Sequence, residues 1–381
     1  MIKTQPNRID MLIHELNYSG ISNAATTLVN AIAERGMPIR LIVVGEEAPM
    51  PFPINKNIEI KFFGIKRGNN FFNKVLYLVR VYFILSVYLA KERSHNLFVW
   101  GKEFTALAVI FRMSLPLKFK LVGVNVTNIS SHLNNKHPII RMTLNRIYKS
   151  LLPNPEHIIA QSGAMVEELI NIYNIPLDKI TVIPPPLQSK FFNIHQEKTK
   201  TGKILFIGKL TDSKDPLAAL EIFKKICDLR KNSTKAEKIE PTLIFIGEGE
   251  LEYTLREKIA ELELEKQVSL IGKQNDILPF LRDADALIMT SKYEGFCMVL
   301  AESIACGVPV ISFDCPTGPS EIIIDGVNGY LIPPKDINLF AQKLDLLLTK
   351  NLNQQRISQT ANKFHHDVVI KDYIEIIKKY F

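Results

Sequence analysis

The sequence predicts an α/β protein of two Rossmann-like domains, and three observations lead there. Short apolar runs that read as strands alternate with helical segments from residue 8 onward. The alternation stops near residue 187 and restarts at residue 203. Between the two stretches stand Pro184, Pro185 and Pro186, which stiffen the chain and cannot donate to a sheet. A length of 381 residues also suits two domains better than one core. The expected division is 1–187 for an N-terminal domain, 188–365 for a second domain, and 366–381 for a terminal helix.

In the first half, residues 8–14 read as a strand, 16–23 as a loop, 24–35 as an apolar-faced helix stopped at Gly36, and 39–44 as a second strand. This β-loop-α-β opening lacks GxGxxG, so no dinucleotide is implied. Residues 58–64 are a third strand. Residues 74–90 are the most apolar stretch; with Lys74 and Arg80 inside it, this stretch reads as a core helix rather than a membrane span. Strands follow at 97–100, where the single tryptophan, Trp100, packs, and at 119–126, which leads into Thr127, Asn128 and, further on, His132, which reads as a loop residue. Residues 157–162 form a strand ending in Ser162, then a helix at 163–173 and a last strand at 180–183.

The second half opens with a strand at 203–207 and the loop Gly208-Lys209-Leu210-Thr211-Asp212-Ser213-Lys214-Asp215. Pro216 suits the first position of a helix reaching residue 229. Strand 242–246 runs into Gly247-Glu248-Gly249, then a charged helix to residue 264, then strand 268–271 and Gly272. Asp283-Ala284-Asp285 reads as a cap leading into strand 286–290, not as a metal site. A turn at Glu294-Gly295, a helix at 298–306 stopped by Gly307, and a strand at 308–313 complete a β-turn-α-β unit. A helix that starts at the end of a strand offers free backbone N–H groups to a phosphate. A carboxylate beside it would repel that phosphate and serves hydroxyls instead. Phosphate on amides and hydroxyls on Glu294 and Glu302 describe a nucleotide sugar. A loop at 314–323, a turn and strand at 325–333, a helix at 336–349 and a terminal helix at 367–381 close the chain.

Charge is uneven. Residues 1–190 hold 22 Lys/Arg against 12 Asp/Glu, a net +10, and the remainder 25 against 27, a net −2. A basic half calls for an anionic partner: membrane surface, acidic glycolipid or nucleic acid. Lys61, Lys66, Arg67, Lys74 and Arg80 would set the 74–90 neighbourhood against an anionic leaflet. No aromatic-basic interleaving or nucleic-acid module appears, so nucleic acid is not the expected partner. Cys227, Cys297, Cys306 and Cys315 show no CxxC pairing and no histidine at ligand spacing, which predicts a reducing compartment and no structural zinc. Residues 1–10 are polar and charged, unlike a signal peptide. The expected location is cytoplasmic, with peripheral contact on the inner face of the cell membrane.

Glu294-x7-Glu302, with Gly295-Phe296 and Gly307-x-Pro309-Val310, resembles the signature of retaining glycosyltransferase family 4, of GT-B fold. Gly208-Lys209-Leu210 with Lys214 resembles the family's Gly-Arg-Leu loop and its following lysine, Lys standing for Arg. Gly247-x-Gly249 fits as well, and Gly318-Pro319-Ser320-Glu321 looks closest to members that build lipopolysaccharide core or bacterial surface polysaccharide. The resemblance is dense over 202–334 and thin over the first 190 residues. The first loop keeps only Ser19-Gly20 of the family's glycine pair, and Pro184–Pro186 replaces an Asn-containing turn.

The resemblance implies two domains facing across a cleft, closing about the proline hinge, with the C-terminal helix crossing back to the first. It implies a retaining, metal-independent hexosyltransferase that needs no cofactor and takes a nucleotide sugar, first of all a UDP-sugar. Lys209 and Lys214 would hold the diphosphate with the amides of Val299 and Leu300, and Gly20 and Gly208 would approach the donor. Glu302 would bind the ribose. Glu294 would face the sugar hydroxyls beside the backbone of Gly295 and Phe296, and Gly272 would lie by the base. In the front-face mechanism expected of this family, the leaving phosphate oxygen takes the acceptor proton. The acceptor would be a glycan or glycolipid of lipopolysaccharide or capsule synthesis. Three rivals differ in simple tests. A sugar-nucleotide epimerase of the same fold would convert donor without acceptor. A phosphorylase would show pyridoxal phosphate absorbance. A basic, non-catalytic binding protein would bind random DNA in a salt-dependent way and ignore sugar nucleotides.

Overall fold

The computed structural model describes residues 7–17, 19–47, 53–66, 71–116, 118–134, 136–192, 199–231, 240–350 and 352–381, without the side chains of residues 71, 72, 74 and 75. Arg67 and the side chain of Lys74 therefore lie outside the described residues. The chain divides into one unit of residues 1–186 and 366–381 and a second of residues 187–365.

In unit 1 the order is β1 (Ile9–Ile13), α1 (Gly20–Glu34), β2 (Ile39–Val43), β3 (Glu59–Phe62), α2 (Phe71–Lys91), β4 (Asn96–Trp100), α3 (Lys102–Ser114), β5 (Lys120–Asn125), α4 (Ile129–Asn134), α5 (Pro138–Leu151), β6 (His157–Ala160), α6 (Ala164–Asn171) and β7 (Ile180–Val182). The strands form one parallel sheet in the order β3-β2-β1-β4-β5-β6-β7. Successive residues of a strand face opposite sides, and both sides here are apolar. Leu12, Ile42, Val99 and Leu121 join a core with α2 to α6, whereas Met11, Leu41, Phe98 and Val122 join a core with α1. That is the pattern of a parallel sheet covered on both faces. Arg40, fully buried at the start of β2, is held by Asp10 through Nε and Nη2 (2.9 and 3.0 Å) and by Glu92 through Nη1 (2.7 Å).

In unit 2 the order is β8 (Lys203–Ile207), α7 (Pro216–Lys231), β9 (Thr242–Ile246), α8 (Glu252–Glu261), β10 (Val268–Leu270), α9 (Leu278–Asp283), β11 (Ala286–Met289), α10 (Met298–Ala305), β12 (Val310–Phe313), α11 (Pro319–Ile322), β13 (Gly329–Ile332), α12 (Ile337–Thr349) and α13 (Gln354–Gln359). Its sheet runs β10-β9-β8-β11-β12-β13, again parallel. The strand order reverses beside β8 and β11, the switch point where open α/β sheets bind ligands beyond the carboxyl ends of their strands. The last helix, α14 (His366–Tyr380), returns to unit 1. Val369, Ile370, Tyr373 and Ile377 fill the core under α1, and Tyr373 stacks on Trp100.

Two local readings need correction. The first helix starts at Gly20, four residues before the expected position, because Ser19 caps it by accepting from the Ser22 amide. Gly20 is thus a first-turn residue and not a loop glycine. His132 lies in α4, not in a loop, and its Nδ1 is 2.9 Å from Lys102 Nζ, which also reaches Thr127 Oγ1 at 3.1 Å. Among the described residues no helix is long and apolar enough to cross a membrane.

Candidate functional site

The carboxyl ends of β8 and β11 each release a loop, and the two loops are tied together. From β11, Thr290 Oγ1 donates to the Lys214 and Asp215 carbonyls (3.1 and 2.7 Å), and the Lys292 amide donates to the Ser213 carbonyl at 2.9 Å. Asp215 in turn accepts from the Ala218 amide and starts α7 behind Pro216. This clasp carries Lys214 to Glu294. Lys214 Nζ donates to Glu294 Oε1 at 2.5 Å, and Ser291 Oγ donates to the same oxygen at 2.6 Å. Glu294 is buried, with a side chain 9% exposed; that of Lys214 is 29% exposed, so the pair opens to solvent on the lysine side.

Burial by itself would lower the Lys214 pKa, but the facing Glu294 carboxylate outweighs it, so the ammonium titrates above its ordinary value. Cys297 and Cys315 sit near enough to feel both charges. Burial first, then Glu294, pushes the Cys297 thiol well up and the Cys315 thiol up to about 12. Both stay protonated near neutrality and offer no thiolate nucleophile.

The Glu294 turn is braced from the other side. Its amide donates to the Pro316 carbonyl at 3.2 Å, and Thr317 Oγ1 donates to its carbonyl at 2.5 Å. Gly318 has φ +97°, and a Cβ there would stand 2.8 Å from the Phe296 carbonyl oxygen and 3.1 Å from that of Gly295. Phe296 itself is buried against Phe364.

The loop that carries Lys209 is pinned from β9. Leu210 donates to the Glu248 carbonyl at 3.0 Å and accepts from the Leu251 amide at 2.9 Å. A Cβ on Gly247 would lie 1.9 Å from the Gly208 carbonyl oxygen, and one on Gly249 2.3 Å from that of Leu210. The glycine pair therefore admits the 208–210 backbone and does not form a nucleotide fingerprint of its own. Lys209 is exposed at the tip. Gly272 has φ +69°, and its carbonyl accepts from the Gly247 amide at 2.9 Å.

At the start of α10, Cys297 adopts φ +73° and leads into Met298. The Leu300 amide donates to the Cys297 carbonyl at 3.1 Å, so of the two amides expected to face a phosphate this one is already engaged. Val299 sits one residue nearer the helix start, where amides lack intrahelical partners. Glu302 is buried within α10. Asp285 is committed elsewhere: its Oδ2 accepts from the Thr201, Gly202 and Lys203 amides, tying the entry of β8 to β11.

The structure thus brings Lys214, Glu294, Gly208, Gly295 and Phe296 into one neighbourhood within unit 2, whereas Gly20 belongs to unit 1. Sequence reasoning missed Ser291, Thr317 and the role of Gly247 and Gly249. Ser291, three residues before Glu294, was open to inspection. The others act through contacts between segments far apart in the chain.

Residues 188–364 match the family model described as glycosyl transferases group 1, and residues 18–190 match that of glycosyltransferase family 4. Over 162 residues the chain is 33% identical to an amylovoran biosynthesis glycosyltransferase of Erwinia amylovora, covering 42% of this chain and 43% of the relative. It is 28% identical over 224 residues to a lipopolysaccharide 1,6-galactosyltransferase of Salmonella typhimurium, covering 57% of each. It is 23% identical over 351 residues, 90% of each chain, to an N-acetylgalactosaminyltransferase of Campylobacter jejuni that acts on a diphospho-undecaprenol-linked sugar. The first two alignments span about half the length of those relatives. Among solved structures, a lipopolysaccharide outer core galactosyltransferase superposes with a TM-score of 0.71 at 18% identity, covering 98% of this chain and 100% of that one. A pneumococcal O-GlcNAc transferase in complex with UDP and GlcNAc reaches 0.75 at 13% identity, covering 98% and 99%. Taken end to end, the two family models span residues 18–364, and the chain belongs to the glycosyltransferase family 4-like proteins of GT-B fold.

Proposed function

We propose that the protein transfers a hexose from a UDP-sugar to a glycan or glycolipid in lipopolysaccharide or surface polysaccharide synthesis, with retention of configuration and without a metal. The observation that carries this is the Lys214–Glu294 pair at the β8/β11 switch point. In the free protein the two charges neutralise each other. A nucleotide sugar separates their tasks: its diphosphate takes Lys214 and the exposed Lys209, and its sugar hydroxyls take Glu294. The base lies by Gly272, and Glu302 on α10 takes the ribose.

The chemistry follows from charge. The bond between the anomeric carbon and the phosphate oxygen breaks as the bond to the acceptor oxygen forms on the same face. The acceptor proton passes to the departing phosphate oxygen. Negative charge grows on the diphosphate, and two fixed lysines offset it in place of a divalent ion. A lysine is a point charge without the planar fork of an arginine, so amides at the α10 start and the pinned 208–210 backbone supply the directionality. No enzyme nucleophile is needed. Uridine is the base that agrees with the UDP-bound neighbour of like fold. The acceptor meets the protein at the membrane, where the basic first half contacts anionic lipid.

Slow donor hydrolysis tests this without knowing the acceptor. Incubation with α-linked UDP-sugars should release UDP and an α-sugar first, seen by NMR, with EDTA present. Lys214→Ala should abolish release. Conversion of the donor to its epimer without UDP release would replace the transferase reading by the epimerase.

A further inference from the structure

Helix α2 buries Tyr77, Val81, Leu85 and Leu89 in the unit 1 core and carries a second apolar stripe on its outside. Leu76, Val79, Phe83 and Val87 succeed one another at three- and four-residue steps, and Phe83 and Val87 are 61% and 65% exposed. A helix that is apolar on both sides is normally covered on both. Met113, 72% exposed, ends α3 beside α2, where the Tyr82 hydroxyl lies 2.6 Å from Ser114 Oγ. Helix α5 also packs on α3 and exposes Ile139 and Met142.

Charge identifies what covers this face. Residues 56–151 hold 16 Lys/Arg against 3 Asp/Glu, a net +13, more than the whole first 190 residues carry. Neither α2 nor α5 contains an acidic residue. Arg80 and Lys91 are exposed along the α2 stripe, and Arg141, Arg146 and Lys149 are exposed on α5. The three acids of this segment are engaged: Glu59 and Glu92 with Arg40, and Glu103 with Lys102. Exposed Phe and Val interleaved with unopposed cations match the boundary between acyl chains and anionic headgroups. They match an acidic protein surface less well, because that would leave Phe83 and Val87 against charge.

We propose that unit 1 lies on an anionic bilayer through α2, with Phe83 and Val87 set into the headgroup–acyl boundary and Arg80 and Lys91 on lipid phosphates. Helix α5 supplies a second basic strip, and α2, about 30 Å long, lies in the interface and does not span it. This specifies the membrane contact proposed above and rests on it.

The test is co-sedimentation of the full chain with phosphatidylcholine vesicles, with and without 30% phosphatidylglycerol, alongside thermal stabilisation by UDP in the same preparation. Wild type should bind the anionic vesicles at least about tenfold more tightly than the neutral ones, and less tightly in high salt. The double variant Phe83→Ser/Val87→Ser should lose about tenfold or more in vesicle binding while keeping its melting temperature and UDP shift. An unchanged vesicle affinity in that variant overturns the proposal. So does wild type that ignores anionic vesicles, or a concentration-dependent dimer that the variant dissolves. The UDP shift reports on the donor site separately, so failure at the membrane leaves the transferase reading standing.

Discussion

Gly247→Ala should damage nucleotide binding although residue 247 is not one of the groups assigned to the donor. At φ +148° the added Cβ would lie 1.9 Å from the Gly208 carbonyl oxygen and 2.8 Å from its carbonyl carbon. An ordinary C···O contact begins near about 3.3 Å, so one backbone must yield by more than about 1 Å. Neither moves freely. The Gly208 amide is bonded to Ile246 at 3.0 Å and the Gly247 amide to Gly272 at 2.9 Å. Overpacking of this kind costs about 1–3 kcal/mol, and the unfavourable backbone angle adds about 1–3 kcal/mol. At 2–4 °C per kcal/mol the melt of a domain this size should fall by roughly 10 °C. A shift of about 1 Å in the loop that carries Lys209 and Lys214 should loosen a charged contact to the diphosphate worth about 1.5–3 kcal/mol and weaken UDP binding by about 10- to 100-fold. Gly326→Ala is the control: φ is +72°, but nothing lies within 4 Å of the new Cβ. It should show backbone strain alone, about 1–2 kcal/mol. Thermal melts and calorimetric titration with UDP measure both effects. If the two variants melt together and bind UDP equally, close approach of the two glycines does not position the lysine loop.

Two more predictions follow from the same contacts. Thr317→Val removes the donor to the Glu294 carbonyl but leaves Lys214 and α10 in place, so sugar release should slow by about tenfold while UDP affinity stays within about twofold; equal loss of both would show a general collapse of unit 2. His157, 1% exposed, has its pKa lowered from 6.5 to about 4 by burial and by Lys379, and its Nε2 lies 2.8 Å from Thr181 Oγ1. The folded protein thus declines a proton that the unfolded chain accepts between pH 6.5 and 4. The contribution is complete above about pH 6.5 and falls by up to about 3 kcal/mol as pH drops through that window. Urea unfolding at pH 7 and 4.5 should show the loss in wild type and a smaller one in His157→Gln; equal losses would contradict the assignment.

The α/β alternation was legible because strands buried on both faces leave continuous apolar runs, as at Lys203–Ile207 and Thr242–Ile246, where expected and observed bounds coincide. Helix α10 was legible because Gly307, with φ +74°, marks its stop. The early start of α1 was hidden because Ser19-Gly20 reads as a turn until Ser19 is seen capping. Helix α5 passed unread; of its residues Tyr148 and Leu151 are buried, and the rest of it stands largely exposed. In the site, Lys214 and Glu294 were each legible by type and spacing, but not as a pair. An 80-residue separation closes through the pairing of β8 with β11 and the Thr290 and Lys292 clasp. The engaged Leu300 amide and the bracing by Thr317 are likewise properties of folded backbone, which side-chain patterns do not encode.

Thermal stabilisation by UDP, GDP, ADP and UDP-sugars, with and without EDTA, tests the donor site most directly. At a UDP concentration about 100 times its dissociation constant, binding should add about 2.7 kcal/mol, a rise of roughly 5–10 °C. The rise should survive EDTA, exceed that for GDP and ADP, and vanish in Lys214→Ala. No shift with any nucleotide, or a shift that EDTA removes, would contradict a metal-free donor site built on Lys214 and Glu294.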